Sequence, residues 1–489
     1  MDSLEIRKSS KKSVKWSLLT EFFAKIATPL STAILARILA PEIFGITAAV
    51  TIVVTFCEAI TDTGFAKFII QHDFKNEDEY KKYISISICF SMLLSILLFG
   101  IICIFRSEIS RFVGCPGYEN ILIISCIQLP FFGFNSIFVA HLRRNFKFNW
   151  VFVCRVLYCL APFVFTVPLA ILKLGPWALA IGAIAAQVVQ TPFLLFKCRK
   201  VIKPYFSFKL LGKMISSSYL MIIESIVIWM STWVLTFIST QFFSSHIVGI
   251  VKVSNSTINS LFALFSTSFT NVLFATLSRL KNDDEEYKNS FYSIQSCAFV
   301  IVVPLAVGCY FYSDTIVKVF LGSQWMEASS IIAALAIAVA FRICFNNFIS
   351  EVFRSKGHFV SSIIFHLVSI GLNISLKFAF GRESLSMFAW TTAFSNIAMM
   401  ILAISILRFR YGFSVLKQAS SLIPSIVCCV FMVPMLIMQN TSSYKLFQSI
   451  FQVVACVGCY IAGGFILYRP LFRHTLSYIG LGKLINQKE

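Results

Sequence analysis

Fourteen long apolar stretches run through the chain, and lysine and arginine collect in every second gap between them. The stretches fall near 16–39, 45–70, 83–105, 119–140, 150–172, 176–197, 214–240, 247–276, 290–312, 328–350, 358–380, 387–407, 421–439 and 447–468. A bilayer core takes about 20 apolar residues per helix. Strands of a membrane barrel would alternate with a period of two over about ten residues. These runs are longer and do not alternate. In hydrocarbon only helices and closed barrels satisfy their own backbone. The pattern therefore predicts an all-α integral membrane protein of 14 transmembrane helices with little mass outside the bilayer. No small-residue cleavage site follows the first run, which reads as a retained helix and not as a signal peptide.

The basic residues orient these helices, because lysine and arginine favour the cytoplasmic side. Arg7, Lys8, Lys11, Lys12 and Lys15 precede the first stretch. Together with the even gaps and the tail they make 29 basic residues on one side. The odd gaps hold six: Arg106, Arg111, Lys173, Lys318, Arg382 and Lys445. Both termini are expected in the cytoplasm. The net charge of +20 is then a topology signal. It is dispersed over eight short segments, unlike the basic patch of a nucleic-acid binder, so no nucleic-acid partner is expected. A cytoplasmic basic face should attract anionic membrane lipids.

Composition agrees: 57% of residues are hydrophobic and 13% charged, about half the charge usual in soluble domains. Cys456 and Cys459 form a C-x-x-C, but beside Val457 and Gly458 in an apolar run they read as packing. The six histidines show no ligand spacing. No metal site and no catalytic residue are expected.

Two basic gaps look alike. Lys75–Lys82 reads KNEDEYKK and Lys281–Asn289 reads KNDDEEYKN, about 206 residues later and six stretches on. Arg143, Arg144 and Lys147 recur in the same way as Arg354 and Lys356. This suggests two six-helix halves in the same orientation, related by an axis along the membrane normal and enclosing a central cavity, as in parallel-repeat transporters. The expected organisation is a basic N-terminus (1–15), a first half (16–200), a basic linker (201–213), a second half (214–410), two extra helices (411–468) and a cytoplasmic tail (469–489).

Ionisable residues inside a span are costly and are functional candidates by default. Glu21, Lys25 and Arg37 fall in the first span, and Glu58, Asp62 and Lys67 in the second. Arg155, Glu224, Lys252 and Arg342 follow in spans five, seven, eight and ten. At about 1.5 Å per residue, Lys25 lies about 13 Å and Glu58 about 18 Å from the cytoplasmic end, so the two could meet. Glu58 and Asp62, spaced i,i+4, share one helix face. A structural Glu21–Lys25 pair and snorkelling of Arg155, Lys252 and Lys67 are the plainer readings. Pro29 removes a backbone hydrogen bond mid-span and should bend the first helix.

Five segments resemble one family. Leu35–Gly45 (LARILAPEIFG), Asp62–Gln71 (DTGFAKFIIQ), Leu142–Phe148 (LRRNFKF), Leu174–Gln187 (LGPWALAIGAIAAQ) and Phe320–Ser329 (FLGSQWMEAS) are similar, in order, to segments of the Wzx-type polysaccharide flippases. These form a branch of the multidrug/oligosaccharidyl-lipid/polysaccharide superfamily. The resemblance covers about four fifths of the chain. Lys67 departs from it, standing where the family often has a small or apolar residue.

The resemblance implies a non-enzymatic flippase of the bacterial inner membrane. It would carry undecaprenyl-diphosphate-linked oligosaccharide repeat units from the inner to the outer leaflet, for O-antigen, capsule or exopolysaccharide. A polysaccharide polymerase and chain-length machinery would be its protein partners. A diphosphate needs cationic partners: Lys25, Arg37 and Arg342 first, then Lys67 and Lys252. Glu58, Asp62 and Glu224 are candidates for a coupling Na+ or H+, and no other cofactor is implied. A cation-coupled multidrug exporter of the same superfamily is the alternative. A membrane glycan polymerase or ligase fits less well, because the longest outer gap, Arg106–Tyr118, is short and holds no paired acidic motif.

Overall fold

The computed structural model describes residues 3–61, 65–72, 74–203, 205–434 and 446–478. The helices are α1 Ser3–Ile38, α2 Pro41–Thr61, α3 Phe65–Gln71 and α4 Glu77–Ile104. Next come α5 Glu119–Arg144, α6 Phe148–Ile171, α7 Pro176–Cys198, α8 Phe208–Phe242 and α9 Ser245–Arg279. They continue with α10 Asp284–Phe311, α11 Ala328–Ser355, α12 Phe359–Phe380 and α13 Leu385–Tyr411. The last are α14 Val415–Val430, α15 Leu446–Leu467 and α16 Arg469–Tyr478. Among the described residues there is no strand.

Ten of these helices are long and apolar enough to cross a bilayer, or eleven if α9, bent by 52°, counts as one span. The chain is a multi-pass membrane protein. The remaining expected stretches fall on α1, α14 and α15, with 435–439 outside the described residues. The expected stretch 45–70 falls on α2 and α3, with residues 62–64 outside the described residues. The basic side chains of residues 1–15 and of 479–489 are likewise outside.

The chain forms two compact units, Met1–Val253 and Ser254–Glu489. In the first, α1 lies on α6, α7 on α5 and α6, α4 on α5, and α8 on α2. In the second, α13 packs on α11 and α12, and α10 on α11, α14 and α16. α1 passes through Pro29 as one helix. Cys456 sits in an apolar cluster with Cys428 and Tyr460, and Tyr460 donates to the Val300 carbonyl at 2.8 Å.

Lipid tails are as apolar as leucine, so apolar burial does not drive helices together here. Small residues and short polar contacts do. α4 shows this directly. Its buried stripe is Ser87, Ser91 and Ser95, while Leu93, Ile96, Leu97 and Ile101 are exposed. Ser95 donates to the Leu129 carbonyl of α5 at 3.3 Å. Opposite it, a methyl group on Gly133 of α5 would lie 3.0 Å from Thr61 and 3.1 Å from Ser91. Three helices meet at that point because none carries a large side chain there.

The two similar acidic segments build the same local structure. Asn76 accepts from the Glu79 amide at 2.7 Å and opens α4, while Asp283 accepts from the Glu286 amide at 3.1 Å and opens α10. The following tyrosines, Tyr80 and Tyr287, bond at 2.7 Å to His141 and Ser355. A later cation covers each ring. Arg144 lies 5.3 Å from the centroid of Tyr80, and Lys356 lies 4.6 Å from that of Tyr287. Those cations also bond main-chain carbonyls left open by helix ends and turns. Arg144 donates to Ile69, Ile70 and His72 at 2.8, 3.2 and 2.7 Å, and Lys356 to Lys281 at 2.8 Å. At the other ends, Gly114 and Gly322 both adopt positive φ, +80° and +103°, a conformation glycine enters without strain.

A wider π-helical turn interrupts α6 at Pro162–Thr166 and α11 at Arg342–Asn347, and a third spans Val317–Leu321. In the second, the Cys344 carbonyl accepts from Gln295 of α10 at 3.1 Å. Such turns concentrate at functional sites.

Arg144→Ala should lower thermal stability in detergent by about 2 kcal/mol, the scale of charge-assisted bonds lost to partly buried carbonyls. Arg143→Ala, an exposed neighbour, should change it little. Fluorescence-detected size exclusion after graded heating compares the two.

Candidate functional site

A cavity of about 520 Å³ opens within the first unit, walled by α1, α2, α3, α5, α6 and α7. Its charged lining is Glu21 from α1, Glu58 from α2, Arg143 from α5 and Arg155 from α6. Two carboxylates and two guanidiniums therefore share one cavity, which lowers the cost of holding either sign in the membrane. Arg155 also lies 5.6 Å from the ring centroid of Tyr158, a second lining residue.

The deeper wall is neutral and hydrogen-bonded. Asn135 Nδ2 donates to the carbonyl and the side-chain oxygen of Gln187, at 3.0 and 3.2 Å. Gln190 Nε2 donates to the same Gln187 Oε1 at 2.8 Å. Thr191 Oγ1 donates to Asn135 Oδ1 at 3.0 Å. All four residues are buried. The network fixes the carboxamides by tying α5 to α7, and leaves a surface that both donates and accepts. Hydroxyl-rich ligands match such a surface, since every hydroxyl does both.

The expected site residues separate in space. Glu58 reaches the cavity wall, and Lys25, one turn beyond Glu21 on α1 and close enough to feel its charge, is half-buried and not part of that wall. Arg37 is exposed in the last turn of α1. Lys252 of α9 lies 3.8 Å from the ring centroid of Trp233 on α8. Glu224 is buried in α8. Asp62 and the Lys67 side chain lie outside the described residues. Arg342 belongs to the second unit, where its guanidinium donates to Asn259 Oδ1 on α9. Asn259 in turn donates to Asn255 at 2.7 Å.

Glu21, Arg155, Arg143 and the three carboxamides line the cavity but were not among the phosphate or ion ligands expected from the sequence. Glu21 looked like half of a helix pair, Arg155 like a snorkelling residue and Arg143 like a loop charge. The carboxamides carry no charge and gave no signal. One basic residue escaped the sequence reading altogether: Lys377, fully buried near the end of α12. Its amine donates to Thr391 and Thr392 of α13 at 3.1 and 2.7 Å and lies 4.7 Å from the ring centroid of Phe388. Hydroxyls and a ring face hold this cation.

A family model described as "Polysaccharide biosynthesis protein" matches residues 34–330. An uncharacterized membrane protein in the cps region of Klebsiella pneumoniae is 24% identical over 363 residues, 73% of this chain and 74% of the relative. The succinoglycan biosynthesis transport protein ExoT of Rhizobium meliloti is 22% identical, over 68% of this chain and 66% of the relative. Among solved structures, the lipid II flippase MurJ in an inward closed conformation superposes with a TM-score of 0.76 at 17% identity, covering 94% of this chain and 99% of that one. That likeness shows the fold.

Gln187→Leu removes the oxygen that two carboxamides share. It should cost about 1–3 kcal/mol for each buried donor left without a partner, and melting in detergent should show it. Gln190→Leu, which removes one donor, should cost less.

Proposed function

We propose that the chain, which belongs to the polysaccharide biosynthesis protein family, flips lipid-diphosphate-linked oligosaccharide repeat units from the cytoplasmic to the outer leaflet. It does so by alternating access, without making or breaking a covalent bond. The observation that carries the reading is the cavity wall of paired carboxylates, guanidiniums and carboxamides inside helices that otherwise face lipid. A drug-sized apolar ligand would have no use for four charged groups in the wall. A glycan wants bonded carboxamides that meet hydroxyl with hydroxyl.

The arrangement assigns roles. Asn135, Gln187 and Gln190 receive sugar hydroxyls. The diphosphate falls to the intramembrane cations. Arg342, whose guanidinium donates to Asn259 and carries five N–H groups in all, leads this group. Lys25, Lys67, Lys252 and Arg37 follow, Arg37 last because it sits at the exposed end of its helix. Glu58 is the leading site for a coupling Na+ or H+, with Glu21 across the same cavity. Asp62 and Glu224 are the other candidates. Coupling here means only that the ion favours one access state over the other.

The proposed architecture is 14 spans with both termini cytoplasmic, in two parallel six-helix repeats followed by α14 and α15. The matched caps, tyrosines and covering cations of α4 and α10 support the repeat. The one-sided distribution of lysine and arginine supports the orientation. Alkaline phosphatase fused within Arg106–Tyr118 should be active, and fused within Lys281–Asn289 inactive.

Deleting the gene should abolish the surface polysaccharide and leave lipid-linked repeat units in the cytoplasmic leaflet. Drug sensitivity with normal polysaccharide would instead identify an exporter. In the complemented strain, Arg342→Ala should cut transport about tenfold, the equivalent of about 1.4 kcal/mol. Glu58→Gln should remove the dependence on sodium or proton gradient. If Glu58→Gln, Asp62→Asn and Glu224→Gln all keep that dependence, none of them is the coupling site.

A further inference from the structure

Two helix starts meet in the first unit in a reciprocal way. α2 begins at Pro41 and α9 at Ser245. A methyl group on Gly45 would collide with the carbonyl oxygen of Ser245, and one on Gly249 with the carbonyl oxygen of Pro41. Each glycine lies four residues into its helix and receives the first carbonyl of the other helix. The contact therefore reads the same from either side, as in an isologous dimer interface. Just inside each start, Glu42 and His246 face one another, with His246 Nδ1 2.6 Å from Glu42 Oε1.

We propose that Glu42, Gly45, His246 and Gly249 form the outer gate of the transport path, closed in this structure by the glycine contact and latched by the Glu42–His246 hydrogen bond. The proposal rests on the transport reading and orientation given above, in which both helix starts lie at the outer face. α2 and α9 hold the same place, second, in the two proposed repeats. A carrier built from parallel repeats releases cargo outward by parting such equivalent ends. The join suits that task. The close approach uses backbone alone, so it fits in one register and interlocks no large side chains. The pair that latches it is half-exposed, and exposed pairs are weak enough to break in each cycle. A permanent helix contact would bury more and need no polar pair at its rim.

Val248, one residue before Gly249 and buried, serves as the reporter. In purified protein without cargo, Val248→Cys should react slowly with a membrane-impermeant maleimide, read at that position by mass spectrometry. Adding Glu42→Ala or His246→Ala should speed labelling about fivefold, the scale of one exposed polar pair. Gly45→Ala should speed it at least as much. The exchanged pair Glu42→His with His246→Glu should return it to the slow rate. Unchanged labelling in the two single variants and in Gly45→Ala, all eluting as folded protein, would overturn the gate. So would fast labelling in the exchanged pair. Because this readout needs no substrate, it stands or falls separately from the deletion phenotype, which tests transport itself.

Discussion

Hydrocarbon offers no partner to a stray N–H, carbonyl or charge, and the rest of this molecule follows from that. Backbone groups turn inward and make helices. Side chains then reverse the logic of a soluble protein. In the middle of α4 Leu93, Ile96 and Leu97 face out, while Ser91 and Ser95 face in. Charges retreat to helix ends, where they bond open carbonyls as Arg144 does, or they gather where opposite signs share a cavity, as Glu21, Glu58, Arg143 and Arg155 do. Lys377 marks the limit of the rule, a cation enclosed by two hydroxyls and a ring.

The same constraint explains why function and fold are hard to separate in such a chain. A carboxamide network in a soluble core mainly fixes packing. Here Asn135, Gln187, Gln190 and Thr191 fix packing, and the first three also line the space that a polar cargo would occupy. Each donor spent on a neighbouring helix is one fewer for a sugar, so the wall's selectivity depends on how α5 and α7 sit together.

Much of the fold was legible in the sequence because hydropathy and charge act locally. Long apolar runs became helices, and the two acidic segments became two matching helix starts. The candidate site was legible only in part. Glu58 was found because a charge in an apolar run stands out. Asn135, Gln187 and Gln190 were not, because a neutral amide changes hydropathy little and its importance comes from partners on another helix. Arg155 and Lys252 show the converse. Both are conspicuous in sequence, yet one lines the cavity and the other rests on Trp233, a difference decided by helix rotation. Lys377, close to a span end, looks in sequence like any interfacial lysine.

The π-helical turn at Arg342–Asn347 bears on how the protein can change. A turn closed by an i→i+5 bond holds one residue more than an α turn. In a continuous α-helix an inserted residue would rotate everything beyond it by about 100° and unpack the helix from its neighbours. A wide turn absorbs that residue locally, and the flanking segments of α11 keep their faces. Arg342 thus occupies a stretch where chain length can vary without re-aiming the rest of the helix. A change of one residue in length would be taken up within that turn, whereas the same change elsewhere in α11 would turn the helix away from its partners.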